Sequence, residues 1–494
     1  MSKRISLLIA AAAALLAACT PKQPAEYKEN GAEAAVYPDY TNVTVPRNIA
    51  PLHFRIEAEA DGYVTVMKAP GEELVKEGRE VRPSEKEWRR LTEKGDIEVR
   101  VFAKKDGRWE AFRPFAIRVS PDAIDPWISY RLISPSYVAY ENLTLQQRCL
   151  ENYEERLIYG NMINSPEEDG QCINCHFTQG GNPERMQFHV RQGMGGTVIA
   201  CDGRLEKVDL KVDGAVSGGV YPAWHPTEKL IAYSTNKTGQ SFHTTHLNKI
   251  EVQDTYSDLV LYDPEENKIH ELERDSDRLD CFPAWSPDGR WLYYCSARYE
   301  HRDTSLVRDE DIIRHYRQLR YNLCRRSFDV KARTFGPEEL VYDAESDSLS
   351  ATEPKISPDG RWLMFTRAAY GIFHIWHGDA DLCLIDLEDS TLTPRPAYGL
   401  NSESVEAWHS WSRDGRWVVF SSRREDGNYT RPFFARHDGE GHFTKPFPLP
   451  QDDPEYHRDL LFSYNIPEFM SGPVTYSPQE IADCVKKEAK KAKK

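Results

Sequence analysis

A short pattern recurs four times in the second half of this 494-residue chain and constrains its fold more than any other feature. The copies read YPAWHPTEKLIAYSTN from Tyr221, CFPAWSPDGRWLYYCSAR from Cys281, EPKISPDGRWLMFTRA from Glu353 and WHSWSRDGRWVVFSSRR from Trp408. Each copy is an apolar strand, a tight turn and a second strand. Proline fixes φ at the turn, and glycine takes the left-handed position that closes a hairpin. The spacing therefore predicts an array of like β-units.

Further strand patterns lie between the copies, such as SDLVLYDPEENKIHEL from Ser257 and ADLCLIDLEDSTLTP from Ala380. They bring each unit to four strands, the content of a propeller blade. The Ser-Pro-Asp-Gly-Arg-Trp hairpins resemble the WD40-like repeats of the TolB family, although Thr227 and Glu228 replace Asp-Gly in the first copy. The resemblance covers roughly 221–449 and implies a mainly β fold, a TolB-like β-propeller of five to six blades. We assign the repeat residues themselves a scaffolding role.

The segments outside the repeats suggest further parts. Half-blade patterns begin at Tyr130 and at Gly195, so we expect a first blade over 126–212 that carries a short helical insertion at 143–194. The propeller proper is then expected over 213–470. Alternating apolar and polar residues predict an N-terminal β-sandwich over 42–125. The lysine-rich segment 471–494 is expected to be a basic, solvated helical tail.

The N-terminus carries a targeting pattern. Lys3 and Arg4 precede an apolar run that ends in Leu-Ala-Ala before Cys19. The run is too short for a permanent membrane helix, which needs about 20 residues. It resembles a bacterial lipoprotein signal over 1–19, which implies lipid on Cys19 and, because Thr20 follows, an outer-membrane anchor on the periplasmic or cell-surface side. A short membrane anchor or an ordinary secretory signal is the alternative. Residues 20–41 are expected to be a disordered tether.

One motif carries specific chemistry, the Cys-x-x-Cys-His at 172–176. Two thiols one helical turn apart can add to the two vinyl groups of a haem edge, and the following histidine can bind the iron. The motif resembles the attachment signature of c-type cytochromes, which implies covalent haem c on Cys172 and Cys175 with His176 as the proximal ligand. Zinc and a redox dithiol are the alternatives, but the chain has no second Cys-x-x-Cys and no βαβ pattern.

The second axial ligand would decide what the iron does. His189 is the first candidate, because it follows the motif closely and is flanked by Phe188 and Val190. Met194, among glycines that allow close approach, is the second. Either residue can equally be a packing residue of the core.

Other histidines and cysteines form two further groups of candidate residues. Histidines in blade loops could meet in the propeller channel and bind a metal or act as bases, with separate packing roles as the alternative: His225, His243, His246, His374, His377 and His409. Cys281 and Cys295 flank one hairpin, where they are expected to face each other as a disulfide or as two buried thiols.

These observations favour an extracytoplasmic haem protein that transfers electrons or senses redox state or ligands among periplasmic or surface partners, with the propeller as docking scaffold. The net charge of −15 argues against a nucleic-acid partner. A propeller binding protein with a structural haem is one alternative. A propeller hydrolase or lyase acting on glycans is the other, although the sequence identifies no catalytic residue for it.

Overall fold

The computed structural model describes residues 21–134, 142–164, 172–246, 248–272 and 275–494. The predicted signal peptide and Cys19 lie outside these residues. The described chain forms two compact units, one reaching Ala123 and including Pro450–Asp459, the other comprising the rest. None of its helices is both long enough and apolar enough to span a membrane.

The N-terminal unit contains two sheets and a short helix. A seven-stranded sheet has the core order β1-β9-β8-β10-β3, with β5 and β6 beside β8, and a second sheet has the order β2-β4-β7. The strands are β1 Lys28–Glu33, β2 Val36–Tyr37, β3 Thr44–Pro46, β4 Phe54–Ile56, β5 Gly62–Ala69, β6 Glu72–Glu77, β7 Glu80–Val81, β8 Ile97–Lys105, β9 Arg108–Arg113 and β10 Phe115–Ser120. Helix α1, Glu85–Thr92, follows β7 and begins with a capping box between Ser84 and Glu87.

The tether prediction is wrong for part of 20–41. Strand β1 pairs in parallel with β9, and Tyr40 is fully buried. Low apolar content was a poor guide here because an edge strand is held by main-chain hydrogen bonds, which do not depend on the side chains.

Among the described residues, the second unit contains six groups of four antiparallel strands, and a single parallel pair, Ser257 with Leu279, joins two of the groups into one larger sheet. Their strands, with the innermost named first, are β34 Ser463–Met470, β11 Trp127–Ile133, β12 Thr144–Cys149 and β13 Glu155–Gly160; β14 Cys172–Gln179, β15 Asn182–Arg191, β16 Gly196–Cys201 and β17 Arg204–Asp209; β18 Gly219–Trp224, β19 Ile231–Phe242, β20 Ile250–Asp263 and β21 Lys268–Glu271; β22 Arg278–Trp285, β23 Trp291–Arg298, β24 Asn322–Asp329 and β25 Thr334–Tyr342; β26 Ser350–Ile356, β27 Trp362–Ala368, β28 Asp381–Asp386 and β29 Arg395–Pro396; β30 Glu406–Trp411, β31 Trp417–Ser422, β32 Arg431–Arg436 and β33 Phe447–Pro448.

The innermost strands adjoin one another in the cyclic order β14, β18, β22, β26, β30, β34 and back to β14. The ring of strands is closed by two segments that are far apart in sequence: β34, near the C-terminus, pairs antiparallel with β11, the first strand of the unit. Apolar side chains between neighbouring sheets form the core, and the innermost strands surround a central channel.

The predicted helical insertion at 143–194 is wrong for its described residues, which form strands β12 to β15. The haem motif therefore begins a regular sheet, and the segment predicted as one blade with an insertion, 126–212, contributes to two sheets. The helix prediction rested on the spacing of the two cysteines, which matches one helical turn. The same segment, CINCHFTQ, also has the apolar alternation of an inner strand, and it forms one.

The C-terminal segment is also more ordered than predicted. Helix α4, Pro478–Val485, buries Ile481, Ala482 and Val485, and β35, Lys490–Lys491, pairs in parallel with β17. The described residues contain two further α-helices, α2, Arg308–His315, in the second unit and α3, Tyr456–Asp459, in the N-terminal unit. Lysine content alone misled because a short edge strand can keep its charged side chains in solvent while its backbone pairs.

Candidate ligand-binding channel

Each of the six innermost strands contains the same irregularity. At one position per strand a non-glycine residue has a φ between +47° and +56°, and the pairing register shifts beside it. These residues are Cys175, Tyr221, Phe282, Glu353, Trp408 and Ile466. Positive φ is costly for such side chains, and β-bulges of this kind redirect side chains next to functional sites. The six bulges therefore aim one side chain each at the central channel.

The residue after each bulge is proline in four strands and histidine in two. Pro222, Pro283, Pro354 and Pro467 occupy the position that His176 and His409 occupy in the other strands. Proline suits a bulge because its missing N–H leaves no unpaired donor. The Cys-His of the haem motif is thus the bulge of a sheet repeat, with histidine in place of the usual proline.

The bulge residues line a small inner cavity of about 50 Å³ together with His176, Lys355 and His409. One side of it is aromatic. The ring centroids of Tyr221 and Phe282 lie 4.2 Å apart, and that of Trp408 lies 5.6 Å from Phe282 and 6.3 Å from Tyr221.

Several buried polar atoms at this cavity have no hydrogen-bond partner among the described residues. They are both ring nitrogens of His176, Oε1 of Glu353, Nε1 of Trp408 and Nδ1 of His409. The carbonyls of Ile466 and Ser129 approach the His176 ring without satisfying it. Since buried polar groups are nearly always paired, so many unpaired atoms around one cavity indicate a site for water or a polar ligand.

The other polar atoms of these residues are fixed by the fold. Glu353 Oε2 accepts hydrogen bonds from the Trp408 N–H at 2.7 Å and from Thr366 Oγ1 at 3.0 Å. His409 Nε2 lies 3.1 Å from the Met364 carbonyl, so this nitrogen carries the proton and Nδ1 is left as an acceptor. The side chains are therefore held with one free polar edge toward the cavity.

Burial sets the charge of the cavity. It raises the pKa of Glu353 to about 7, against which the hydrogen bonds from Trp408 and Thr366 act. Burial lowers the pKa of His176 to about 4, helped by the charge of Arg131. It lowers the pKa of His409 to about 3, helped by Lys355. Near neutral pH both imidazoles are therefore uncharged.

A wider cavity of about 330 Å³ forms the mouth of the channel on the side of the hairpin turns. Its lining combines aromatic and charged side chains: Phe177, Trp224, Trp285, Trp411, Lys355, Arg413 and Glu468. Phe177 and Lys355 line both cavities. The Lys355 ammonium lies 4.4 Å from the centroid of the Phe177 ring.

The residues predicted to hold haem do not fit that group in this fold. Cys172 and Cys175 are three positions apart in β14, where the chain rises about 3.3 Å per residue, whereas a helical turn brings such residues within about 5–6 Å. Cys175 lines the inner cavity, but Cys172 packs with Ile163 and Met194 against an apolar cluster between sheets. The two thiols are therefore not presented to one edge of a macrocycle.

The two predicted axial ligands are also elsewhere. His189 Nδ1 lies 3.1 Å from Thr197 Oγ1 and the ring is packed near Gly218, while Met194 lies in a short 3-10 turn. Neither lines either channel cavity. His189 and Met194 thus occupy the packing roles that were the alternative for each.

The prediction that blade histidines meet in the channel holds for one residue, and the predicted opposition of Cys281 and Cys295 is confirmed. Of the six histidines only His409, in strand β30, reaches the channel cavities. His377 Nε2 lies 2.9 Å from Glu251 Oε2, and His374 lies in a buried 3-10 turn with its Nδ1 3.0 Å from Thr352 Oγ1. The other three lie in turns and loops. Cys281 and Cys295 are directly opposed, as expected, and both are buried free thiols.

The sequence reading missed Glu353, Lys355, Trp408 and Glu468 as channel residues. A signal existed, since NCHFT aligns with VYPAW, CFPAW, TEPKI, AWHSW and NIPEF across the six inner strands. This six-fold pattern is hard to recognise because NCHFT and NIPEF are not followed by a Pro-Asp-Gly-like turn.

No family model matches this chain, and a search of curated proteins gave no match. Solved structures that resemble it include TolB from Acinetobacter baumannii, at 12% identity and a TM-score of 0.42, covering 76% of this chain and 78% of that one. Another is an oligogalacturonate lyase from Vibrio parahaemolyticus, at 10% identity and a TM-score of 0.30, covering 82% and 96%. The protein is mainly β, and its structural neighbours include TolB-like β-propellers.

Proposed function

We propose that this protein is a propeller binding protein whose channel mouth takes up a polyhydroxylated ligand, such as a sugar unit, with a hydroxyl group reaching into the inner cavity. The observation that carries the proposal is the set of unpaired polar atoms on His176, Glu353, Trp408 and His409 around one cavity. A cavity lined by apolar rings with a few converging polar groups is the usual form of a small-molecule site.

The chemistry of the unpaired atoms favours hydroxyl groups. Trp408 Nε1 can only donate a hydrogen bond, His409 Nδ1 is an acceptor, and neutral His176 offers one of each. A hydroxyl both donates and accepts, so neighbouring hydroxyls of one ligand can satisfy this mixed set. A purely anionic ligand would leave the acceptors unpaired and would meet the carboxyl of Glu353.

The aromatic lining supports the same class of ligand. Tyr221, Phe282 and Trp408 flank the inner cavity, and Trp224, Trp285 and Trp411 line its mouth. Flat rings of this kind suit the apolar faces of sugar rings while the polar atoms orient the hydroxyls.

Electron transfer by covalent haem, the function that the Cys-x-x-Cys-His motif predicts, rests on the motif alone. The places of Cys172 and Cys175 in strand β14 and the positions of His189 and Met194 do not support it. Lipid anchoring through Cys19 in the outer membrane stays a prediction, and it is compatible with a binding role.

The proposal is tested by screening the full chain, without its signal peptide, against an array of neutral and uronic-acid oligosaccharides. Hits are then titrated calorimetrically. We expect binding that His176→Ala and Glu353→Gln each weaken at least about tenfold, the loss of one or two hydrogen bonds. The matched control His442→Ala alters an exposed histidine and should leave binding unchanged. Absence of any saccharide hit, or hits that both channel variants retain, would refute the proposal.

A further inference from the structure

We propose that Lys355 is a nucleophilic amine that forms a reversible imine with carbonyl-bearing ligands entering the channel mouth. The inference goes beyond the proposed sugar binding and does not require it, since any small aldehyde or ketone that reaches the mouth would suffice. It rests on the position, the missing partner and the charged surroundings of this lysine.

Lys355 stands where a ligand must pass. It follows the bulge of β26 and lines both the inner cavity and the mouth. The residue as a whole is partly exposed and belongs to the lining of the mouth. Its neighbour is the face of the Phe177 ring, 4.4 Å away.

The Lys355 ammonium has no hydrogen-bond or ion-pair partner among the residues that the structure describes. Other half-buried lysines of the chain are engaged. Lys207 donates to the Val485 carbonyl at 2.7 Å, and Lys229 pairs with Asp202 at 2.6 Å and Glu265 at 2.7 Å. An amine without such a partner has its lone pair free for reaction once it loses its proton.

Four ionisable groups surround Lys355. Glu468 and Glu353 act on it electrostatically, His409 feels its charge, and Arg413 lines the same mouth. The Arg413 charge is offset by Asp125, whose Oδ1 lies 2.7 Å from Nε. Glu468 is held by the Thr178 N–H, which reaches its two oxygens at 3.2 and 3.0 Å.

Burial shifts the pKa values of Lys355 and Glu468 in opposite directions. It lowers the pKa of Lys355 and raises the pKa of Glu468 to about 8. The surroundings therefore shift Lys355 toward the free amine and Glu468 toward the protonated carboxyl, the combination that imine formation needs.

The chemistry then proceeds without an outside oxidant or reductant. The amine lone pair adds to the carbonyl carbon, and a proton passes from nitrogen to oxygen to give a carbinolamine. Glu468 protonates the hydroxyl, which leaves as water while the nitrogen lone pair forms the C=N bond. The nitrogen proton returns to the carboxylate, and hydrolysis reverses every step.

The test uses the full chain without its signal peptide, incubated with glycolaldehyde and sodium cyanoborohydride, which reduces imines to stable secondary amines. Peptide mass mapping at pH 6, 7 and 8 gives the rate at each lysine. At pH 7 we expect Lys355 to be labelled at least about tenfold faster than Lys229 or Lys237, because burial lowers the pKa of Lys355 while carboxylate partners raise the pKa of the two surface lysines, and a lower pKa leaves more free amine.

Two variants separate reactivity from exposure. Glu468→Gln, which keeps the shape but cannot supply the proton, should slow labelling of Lys355 and leave Lys229 unchanged. Lys237→Arg should leave Lys355 labelling unchanged. Equal rates at Lys355 and the surface lysines in folded protein would overturn the proposal. Sugar binding is measured separately by calorimetry, so failure of one proposal is distinguishable from failure of the other.

Discussion

Gly289 lies against the imidazole of His225, with its carbonyl 3.1 Å from Nε2 of that ring. His225 is buried, and its Nδ1 accepts from the Glu228 N–H at 3.0 Å. One ring nitrogen of His225 therefore stabilises the turn His-Pro-Thr-Glu, which departs from the Pro-Asp-Gly pattern. The other nitrogen links this turn to the Pro-Asp-Gly turn that contains Gly289. A Cβ on Gly289 would overlap Cε1 and Nε2 of the ring.

We therefore expect Gly289→Ala to destabilise the protein more than Gly360→Ala. Both glycines occupy the same turn position, with φ of +69° and +81°, so both substitutions carry the left-handed strain of about 1–2 kcal/mol. Gly360 has open space around it, whereas Gly289 adds an overlap that costs a further ~1–3 kcal/mol. Urea unfolding of both variants checks this, and equal losses would contradict the packing of His225.

His176→Pro should leave the fold intact while removing channel binding. Four of the six inner strands carry proline at this position after the bulge, so the backbone there tolerates a missing N–H. We expect a melting temperature within a few degrees of the unsubstituted protein and loss of the saccharide binding proposed above. Proline at Ile173, in the paired part of the same strand, is the control and should unfold the sheet. Unfolding by His176→Pro would argue against the equivalence of the six bulges.

Glu353→Gln should change how stability depends on pH. The folded-state pKa of Glu353 is raised from 4.5 to about 7, so its contribution is fully present below pH 4.5 and is lost as the pH rises through 7. The loss amounts to about 3 kcal/mol, which glutamine does not suffer. The free energy of unfolding of the variant minus that of the parent should therefore rise between pH 4.5 and 8. Glu310→Gln, at an exposed position, should give a flat difference, and a flat difference for Glu353→Gln would mean that the carboxyl is not buried.

We expect no covalent haem on the folded protein. Expression in a host with cytochrome c maturation enzymes, followed by intact-mass measurement and peroxidase staining of a denaturing gel, should give the mass of the chain without haem. Cys172→Ala and Cys175→Ala should leave the visible absorption unchanged. A haem-sized mass increment that Cys175→Ala abolishes would show that the strand conformation of the motif is not the one that the maturation enzymes meet.

Much of the fold could be read from local sequence. The four Pro-Asp-Gly or related turns predicted hairpins in series, and their strands lie where the pattern put them, because turn chemistry and strand alternation are properties of a few adjacent residues. The opposition of Cys281 and Cys295 followed from the same hairpin. The Ser-Pro turns and apolar strands did not, however, indicate that β34 would pair with β11, which lies more than 300 residues away in the chain.

The candidate site depended on the tertiary structure. The Cys-x-x-Cys-His spacing predicts haem attachment when it lies in a helix. Here Cys172, Cys175 and His176 lie in a strand, where the same spacing separates the two thiols. Glu353, Trp408 and Lys355 are unremarkable in sequence, since each is one residue in a repeat, and His409 was only one of six candidate histidines. Their chemistry arises only because ring closure brings the six bulges around one cavity, removes water from their polar atoms and shifts their pKa values. The sequence by itself determined the repeating hairpins and a motif with a suggestive spacing; burial in the closed ring decided which residues form a site.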